Sequence, residues 1–195
     1  MRNTTLALAA REGLTGELLE TAELAALLHD LKDWKYSGDD DAGPEAAEAW
    51  LLEAGASGER AALVKVIVAS IGFKTELGGS SPADELAGDE RKAFEVVQDA
   101  DRLDAIGAIG IARCFTFGGA RGRSIHDPAE KPRLGLSKEE YKKSANTSSL
   151  NHFYEKLLTL KDRMKSAAGR AVAAERHAFM EAFLAQFHAE WEGSR

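Results

Sequence analysis

His29 and Asp30 stand side by side directly after an apolar run that ends in Leu27 and Leu28. Imidazole nitrogen and carboxylate oxygen together suit divalent metals such as Mn, Fe, Co or Ni, and Mg stays open as an ion that prefers oxygen. An aspartate that follows an apolar helix loses solvation unless it pairs with or coordinates a cation. Taken alone, however, such a pair is more often simply the polar end of a helix.

Two further carboxylates, Asp101 and Asp104, lie three residues apart and therefore share one face of a helix. Apolar neighbours, including Leu103 and Ile106, indicate that this face borders the core. Two carboxylates in such a place repel each other unless something positive lies between them. A salt bridge to Arg102 or to a distant lysine would provide the charge, and so would a metal ion. Both interpretations stay open on the residues alone.

Two other positions carry weaker signals. Lys74 closes an apolar helix ahead of a Gly-rich loop, where its ammonium could contact a phosphate as a point charge. The more ordinary role of a lysine there is to complement the helix dipole. His126 and Asp127 repeat the His-Asp dipeptide, but in a loop rich in Gly and Pro where no helix would hold a metal motif.

The elements that must position these residues are helices, because apolar residues recur at intervals of three and four along most of the chain. No strand pattern is found, so the predicted fold class is all-α, a compact helical bundle forming a single domain over residues 1–195. We predict a long loop at about 117–136 and a capping box at Ser137 to Glu140. A first helix is predicted to end before Gly13. Further helices are predicted over about 18–30, 44–54, 59–71, 89–115, 149–165 and 167–191.

The amino-acid composition excludes several classes of protein. Of the 195 residues, 44% are hydrophobic and 29% charged, an ordinary balance for a globular domain. The formal charge of −7 disfavours a protein that binds long nucleic acids, which need a basic surface. The single cysteine, Cys114, cannot form an internal disulfide, and no apolar run is long enough to cross a bilayer. We therefore expect a cytoplasmic protein without a membrane partner.

Together these segments resemble the HD-domain superfamily, specifically small standalone phosphohydrolases of the bacterial HDIG-like type. The resemblance extends over nearly the whole chain from about Leu6. Where this chain has Gly72 before Phe-Lys, the family more often has Ser. The matching segments are LAALLHD at 24–30, DWKY at 33–36, GFK at 72–74, VQDADRLDAIGAIG at 97–110, NHFYEKL at 151–157 and ERH at 175–177.

The resemblance implies a divalent metal held by a first histidine, by His29 and Asp30, and by Asp101. It implies hydrolysis of a small nucleotide or phosphate ester, with a nucleoside triphosphate cleaved to monophosphate and pyrophosphate as the preferred substrate. A homo-oligomer is left open. On the basis of this resemblance we expect Asp30 or Asp33 to transfer protons. We expect Lys35, Lys74 and Arg102 to contact phosphate, and Asp104 to orient a metal ligand.

One departure from the family pattern concerns the first histidine, because no histidine precedes His29. We expect either that the chain is incomplete at its N-terminus or that it is a degenerate copy that binds metal weakly. His126 from the long loop is a substitute ligand to consider.

The alternative function is a non-catalytic helical binding or assembly module. A third possible function is that of a phosphodiesterase acting on cyclic nucleotides or alarmones.

Overall fold

The computed structural model describes residues 1–31, 42–135 and 147–194. Within these ranges the regular structure is entirely helical, which confirms the all-α prediction. The predicted capping box at Ser137 and the predicted site residues Asp33 and Lys35 lie outside the described residues. The helices form two compact units, Met1–Asp101 and Arg102–Arg195. The single-domain organisation inferred from the sequence stays a prediction.

In the N-terminal unit, alanine- and leucine-rich segments form helices as their propensities favour. Gly13, at φ +76°, follows the first helix and allows the chain to turn. Ser57 caps the fourth helix by accepting a hydrogen bond from the Arg60 backbone N–H. The helices are α1 Arg2–Arg11, α2 Gly16–Leu28, α3 Ala42–Glu53, α4 Gly58–Ser70, α5 Phe73–Leu77, a 3₁₀ helix Pro82–Glu85, and α6 Gly88–Asp104, whose last residues belong to the second unit.

Helix α4 is central to this unit, since α2 and α3 both pack against it, and α2 also packs against α1. The shared core is apolar and almost fully buried, which stabilises the position of α2 along its length. The packing of α2 therefore fixes the position of the residue that directly follows this helix. Core residues include Leu8, Ala22, Ala25, Leu51, Val64 and Ile67.

Polar contacts attach α6 to the end of α4 and to the 3₁₀ helix. The Gln98 side-chain amide donates to the Ser70 carbonyl at 3.4 Å, and the Ser70 hydroxyl accepts from the Ala83 N–H at 3.1 Å. Arg91 Nη1 donates to the Ala83 carbonyl at 3.0 Å. These bonds satisfy buried polar groups and fix the position of the α6 residues that precede Asp101.

The C-terminal unit contains α7 Gly107–Ala120, α8 Ser149–Glu155, a 3₁₀ helix Leu157–Arg163 and α9 Ala167–Trp191. Helix α9 packs against α7 and the 3₁₀ helix, while α8 packs against α7. The N–H groups that open α8 bond to the segment after α7: Ser149 donates to the Ser124 carbonyl at 2.9 Å and Leu150 to the Ile125 carbonyl at 3.0 Å. Buried residues of this unit include Leu150, Phe153, Leu160, Met180 and Leu184.

The predicted continuous helix over 89–115 is wrong, because α6 ends at Asp104 and α7 begins at Gly107. Gly107 has φ +74°, a conformation that residues with a Cβ rarely adopt. At Gly110 a Cβ would lie 2.2 Å from the Ala105 carbonyl oxygen. The break therefore depends on glycine at both positions.

Three smaller differences concern helix ends. The helix predicted over 149–165 is interrupted at Lys156, whose φ of −140° and ψ of −59° lead into the 3₁₀ helix. Helix α7 runs on to Ala120, so the loop predicted from about 117 starts inside it. The short helix α5 and the 3₁₀ helix Pro82–Glu85 were not predicted, since neither is long enough to show a periodic apolar pattern.

No single helix in the described ranges has the length and apolar character that crossing a membrane requires. Helices α6 and α7 reach those values only when they are counted together across the break between them.

Two glycines of α7 provide a matched test of the break. Gly110→Ala should lower the free energy of unfolding by about 1–3 kcal/mol, because the new Cβ meets the Ala105 carbonyl. Gly119→Ala, in the same helix but with no atom within 4 Å of the added Cβ, should be neutral or stabilising by up to about 1 kcal/mol. Urea unfolding of both variants measures the difference. Equal stability of the two would contradict this account of the break.

Candidate metal centre

The imidazole of His29 is oriented by the helix that it follows. Helix α2 ends at Leu28, and His29 continues with φ −60° and ψ −30° as its C-cap. Its Nδ1 lies 2.9 Å from the Ala26 carbonyl oxygen. Because a carbonyl oxygen can only accept, Nδ1 must carry the hydrogen. The other ring nitrogen, Nε2, is then the atom available to a metal.

Two carboxylates face that nitrogen within the N-terminal unit. His29 Nε2 lies 3.0 Å from Asp30 Oδ2 and 3.9 Å from Asp101 Oδ1. The histidine side chain is 15% exposed, whereas those of Asp30 and Asp101 are 64% and 38% exposed. The structure thus places each of the two carboxylates near His29 Nε2, and both carboxylate side chains are partly exposed to solvent.

The electrostatic balance at this histidine favours a positive charge. Burial by itself lowers the pKa of His29, because the charged ring loses solvation. The hydrogen bond and charge of Asp30 and the charge of Asp101 act in the opposite direction and prevail, so the pKa is raised. The surroundings of Nε2 therefore stabilise a cation at this point.

An imidazole and two carboxylates suit a divalent metal ion, and one of the two distances from His29 Nε2 matches the spacing of adjacent metal ligands. With metal–ligand bonds of about 2.1 Å, two ligand atoms at a right angle lie about 3.0 Å apart. The His29–Asp30 separation of 3.0 Å matches such an edge, while the 3.9 Å to Asp101 is wider. Across residues 1–31, 42–135 and 147–194, no three His, Cys, Asp or Glu side chains stand close enough to form a ready metal cluster.

The other predicted site residues are found in several places. Lys74 lies in α5 of the N-terminal unit and is nearly buried. Arg102 and Asp104 belong to the C-terminal unit, where buried Arg102 donates to the Arg163 carbonyl at 3.3 Å and Asp104 accepts a hydrogen bond from Arg113. The roles assigned to these residues, and to Asp33 and Lys35, stay predictions.

His126, considered as a substitute ligand, lies in an aromatic cluster of the C-terminal unit. Its ring makes edge-to-face contacts with Trp191 at 4.9 Å, His188 at 5.4 Å and Phe187 at 5.9 Å between centroids. Packing among aromatic rings is a sufficient reason for a histidine to be held there.

Sequence reasoning missed two groups of buried polar residues. Asp99 is fully buried on α6, and its position among apolar neighbours in the sequence was the available signal. In the C-terminal unit, His152 and Lys156 lie one helical turn apart near Arg123 and Cys114. The spacing of four between His152 and Lys156 was visible, but the two residues outside α8 were not placed by any pattern.

Known proteins with similar sequences and structures identify the family. No family model matches the chain. The uncharacterized protein YpgQ of Bacillus subtilis is 37% identical over 173 residues, which are 88% of this chain and 72% of YpgQ. A solved protein of Lactobacillus plantarum is 34% identical with a TM-score of 0.78, over 98% of this chain and 84% of the other.

Two further solved structures carry functional descriptions. An HD-superfamily hydrolase of Bacillus thuringiensis is 37% identical with a TM-score of 0.70, covering 98% of this chain and 82% of the other. A structure of B. subtilis YpgQ in complex with ADP aligns at 30% identity and a TM-score of 0.69, over 97% and 81% of the two chains. Both similarities extend over nearly the whole length of this chain.

Asp101 and Asp89 lie on the same helix and allow a matched test of metal binding. Asp101→Asn should weaken Mn²⁺ binding by at least about 10- to 100-fold, because it removes one of the two carboxylates that face His29 Nε2. Asp89→Asn should leave the affinity unchanged, since Asp89 is exposed and pairs with Lys92 at 2.9 Å. Calorimetric titration with Mn²⁺ measures both. Equal affinities would remove Asp101 from the ligand set.

Proposed function

The chain belongs to the HD superfamily of hydrolases, and we propose that it is a metal-dependent phosphohydrolase that cleaves a nucleoside triphosphate to monophosphate and pyrophosphate. The observation that carries the proposal is His29 Nε2 facing Asp30 and Asp101 at 3.0 and 3.9 Å. The similarity to an HD-superfamily hydrolase supports the reaction class. The complex of YpgQ with ADP supports a nucleotide as the ligand.

In this proposal His29, Asp30 and Asp101 hold the divalent ion. When bound, the ion supplies Lewis acidity toward a phosphoryl oxygen and makes water a better nucleophile. The hydrogen bond to the Ala26 carbonyl keeps the His29 ring in one orientation and one tautomer, so that Nε2 faces the ligand position without rearrangement. An imidazole with two carboxylates suits Mn, Fe, Co or Ni, whereas Mg prefers a full set of oxygens.

Asp30 is also the first candidate for moving protons. Its side chain is 64% exposed, so part of the carboxylate is accessible to solvent beside His29. A carboxylate in that position can take a proton from attacking water or return one to a leaving group. Asp33 follows closely in the sequence and shares this proposed role. Lys35, Lys74 and Arg102 are the proposed phosphate contacts, with Asp104 proposed to orient a ligand.

The spacing of Asp101 favours a second candidate function, a nucleotide-binding module without turnover. A carboxylate oxygen 3.9 Å from Nε2 is too far away to be an adjacent ligand of the same tightly held ion, and it could share such an ion only from a nearly opposite position. A loosely held ion neither fixes the geometry nor excludes competing cations, and turnover suffers before nucleotide binding does. This function predicts binding of nucleotide with no product.

The reaction is tested by incubating the purified chain with Mn²⁺ and each of several nucleoside triphosphates and measuring pyrophosphate release. We expect turnover that EDTA abolishes, and a loss of at least about 100-fold in His29→Gln and Asp101→Asn, because both remove proposed metal contacts. The control Asp89→Asn should keep the activity of the parent chain.

Other outcomes of the same assay separate the alternatives. Saturable nucleotide binding without any product would support the binding module. Hydrolysis of cyclic nucleotides or alarmones, but not of triphosphates, would support a phosphodiesterase. Release of inorganic phosphate in place of pyrophosphate would show that the terminal phosphoanhydride bond is cleaved and would contradict the proposed bond.

A further inference from the structure

Two side chains of α6, Arg91 and Gln98, form hydrogen bonds from one face of this helix. They are seven residues apart, which is nearly two full turns and about 10 Å along the helix axis. Arg91 Nη1 donates to the Ala83 carbonyl at 3.0 Å, and Gln98 Nε2 donates to the Ser70 carbonyl at 3.4 Å. Helix α6 is thus attached at two separate points within the N-terminal unit.

The two points of attachment belong to one chain of hydrogen bonds. The Ala83 N–H donates to the Ser70 hydroxyl oxygen at 3.1 Å, so the 3₁₀ helix is bonded to the last residue of α4. Ser70 therefore bonds to the 3₁₀ helix through its hydroxyl and to α6 through its carbonyl. We call the three bonds that join Arg91, Ala83, Ser70 and Gln98 the Ser70 relay.

The centre of the relay lies in the core. Ser70 is 1% exposed and Gln98 is 2% exposed, and Ala83 is completely buried. Buried apolar side chains of α6, among them Phe94 and Val97, lie between the two points of attachment in the sequence. Apolar burial is non-directional, whereas a hydrogen bond weakens steeply as its length and angle change. The apolar residues therefore hold α6 in the core, and the relay fixes its position along its axis.

The amide of Gln98 contributes little to stability. The Ser70 carbonyl can only accept, so the amide atom that faces it is the nitrogen, and the bond of 3.4 Å is long. The other amide atom, Oε1, is buried and has no hydrogen-bond partner among the residues that the structure describes. An unsatisfied buried oxygen costs free energy that an apolar side chain of similar length would not. Stability alone therefore does not account for glutamine at this position.

Asp101 follows Gln98 by three residues, about 4.5 Å farther along the same helix. We propose that Gln98 is a positioning residue for the candidate metal centre. Through its bond to Ser70 it fixes α6 along its axis, and with it the 3.9 Å between Asp101 Oδ1 and His29 Nε2. His29 is fixed against the same support, because α2 packs on α4. The benefit of this positioning to a metal ion rests on the function proposed above.

Gln98→Met removes both polar atoms of the amide and keeps the length of the side chain. Groups that orient a metal ligand typically change metal affinity by about 10- to 100-fold when they are lost. We expect Gln98→Met to weaken Mn²⁺ binding by about tenfold, while the urea midpoint stays close to that of the parent chain. Calorimetric titration of the metal-free full chain measures the affinity, and urea unfolding measures the stability.

Val97→Ala is the matched control, since Val97 is the completely buried neighbour of Gln98 and takes no part in the relay. The cavity should lower the urea midpoint, but the folded variant should bind Mn²⁺ as the parent chain does. A merely structural role of Gln98 would instead make metal affinity follow stability in both variants. That result, or unchanged affinity of Gln98→Met where Asp101→Asn binds more weakly, would overturn the positioning role.

Ser70→Ala breaks the relay at a second bond, because it removes the hydroxyl that accepts from Ala83. It should also weaken Mn²⁺ binding, and its effect should not add to that of Gln98→Met in the double variant, since both act through one relay. Fully additive losses would show two separate effects and would overturn the relay. If Ser70→Ala fails to fold, the comparison of Gln98→Met with Val97→Ala still decides the question.

Crystal structures of the metal-free parent chain and of Gln98→Met test the position of Asp101 directly. The separation between His29 Nε2 and Asp101 Oδ1 should change by about 0.5 Å or more, the tolerance within which a site must be held. An unchanged separation would overturn the positioning role. A changed separation, with equal Mn²⁺ affinity of the parent chain, Gln98→Met and Asp101→Asn, would support the positioning role and overturn the metal centre instead.

Discussion

The hydrogen bond from His29 Nδ1 to the Ala26 carbonyl sets the geometry of the candidate metal centre. It uses one ring nitrogen within the last turn of α2 and leaves Nε2 to face Asp30 and Asp101. The bond holds its direction because α2 is fixed in the core by α1 and α4. A rotation of this ring would separate the imidazole from both carboxylates, so the centre depends on a backbone carbonyl as much as on its proposed ligands.

The chain contains two histidines in electrostatic surroundings of opposite sign. At His29 two carboxylates overcome the effect of burial and raise the pKa, whereas at His152 burial and two cations lower it to about 3. The surroundings of His29 therefore favour a charged imidazolium, and those of His152 favour the neutral ring.

The sequence predicted the all-α class and helices such as α2, α4 and α9, because long periodic runs of apolar residues determine a buried face. The break before Gly107 was missed because Ile106 and Ile109 continue the apolar spacing across it. His29 and Asp30 were recognisable as neighbours, but Asp101 was joined to them only through the family resemblance. The proximity of Cys114 and Arg123 to the residues of α8 was not predicted, since it arises from tertiary packing alone.

The burial of Cys114 has a practical consequence for work with this protein. A thiol whose pKa is about 11 is almost wholly protonated at neutral pH, and only the thiolate attacks maleimides, haloacetamides or disulfides. Because Cys114 is the single cysteine of the chain, the protein should resist oxidative cross-linking in storage without added reductant. A new cysteine at an exposed position such as Glu192 could then carry a fluorophore or spin label selectively, with the native thiol left in place.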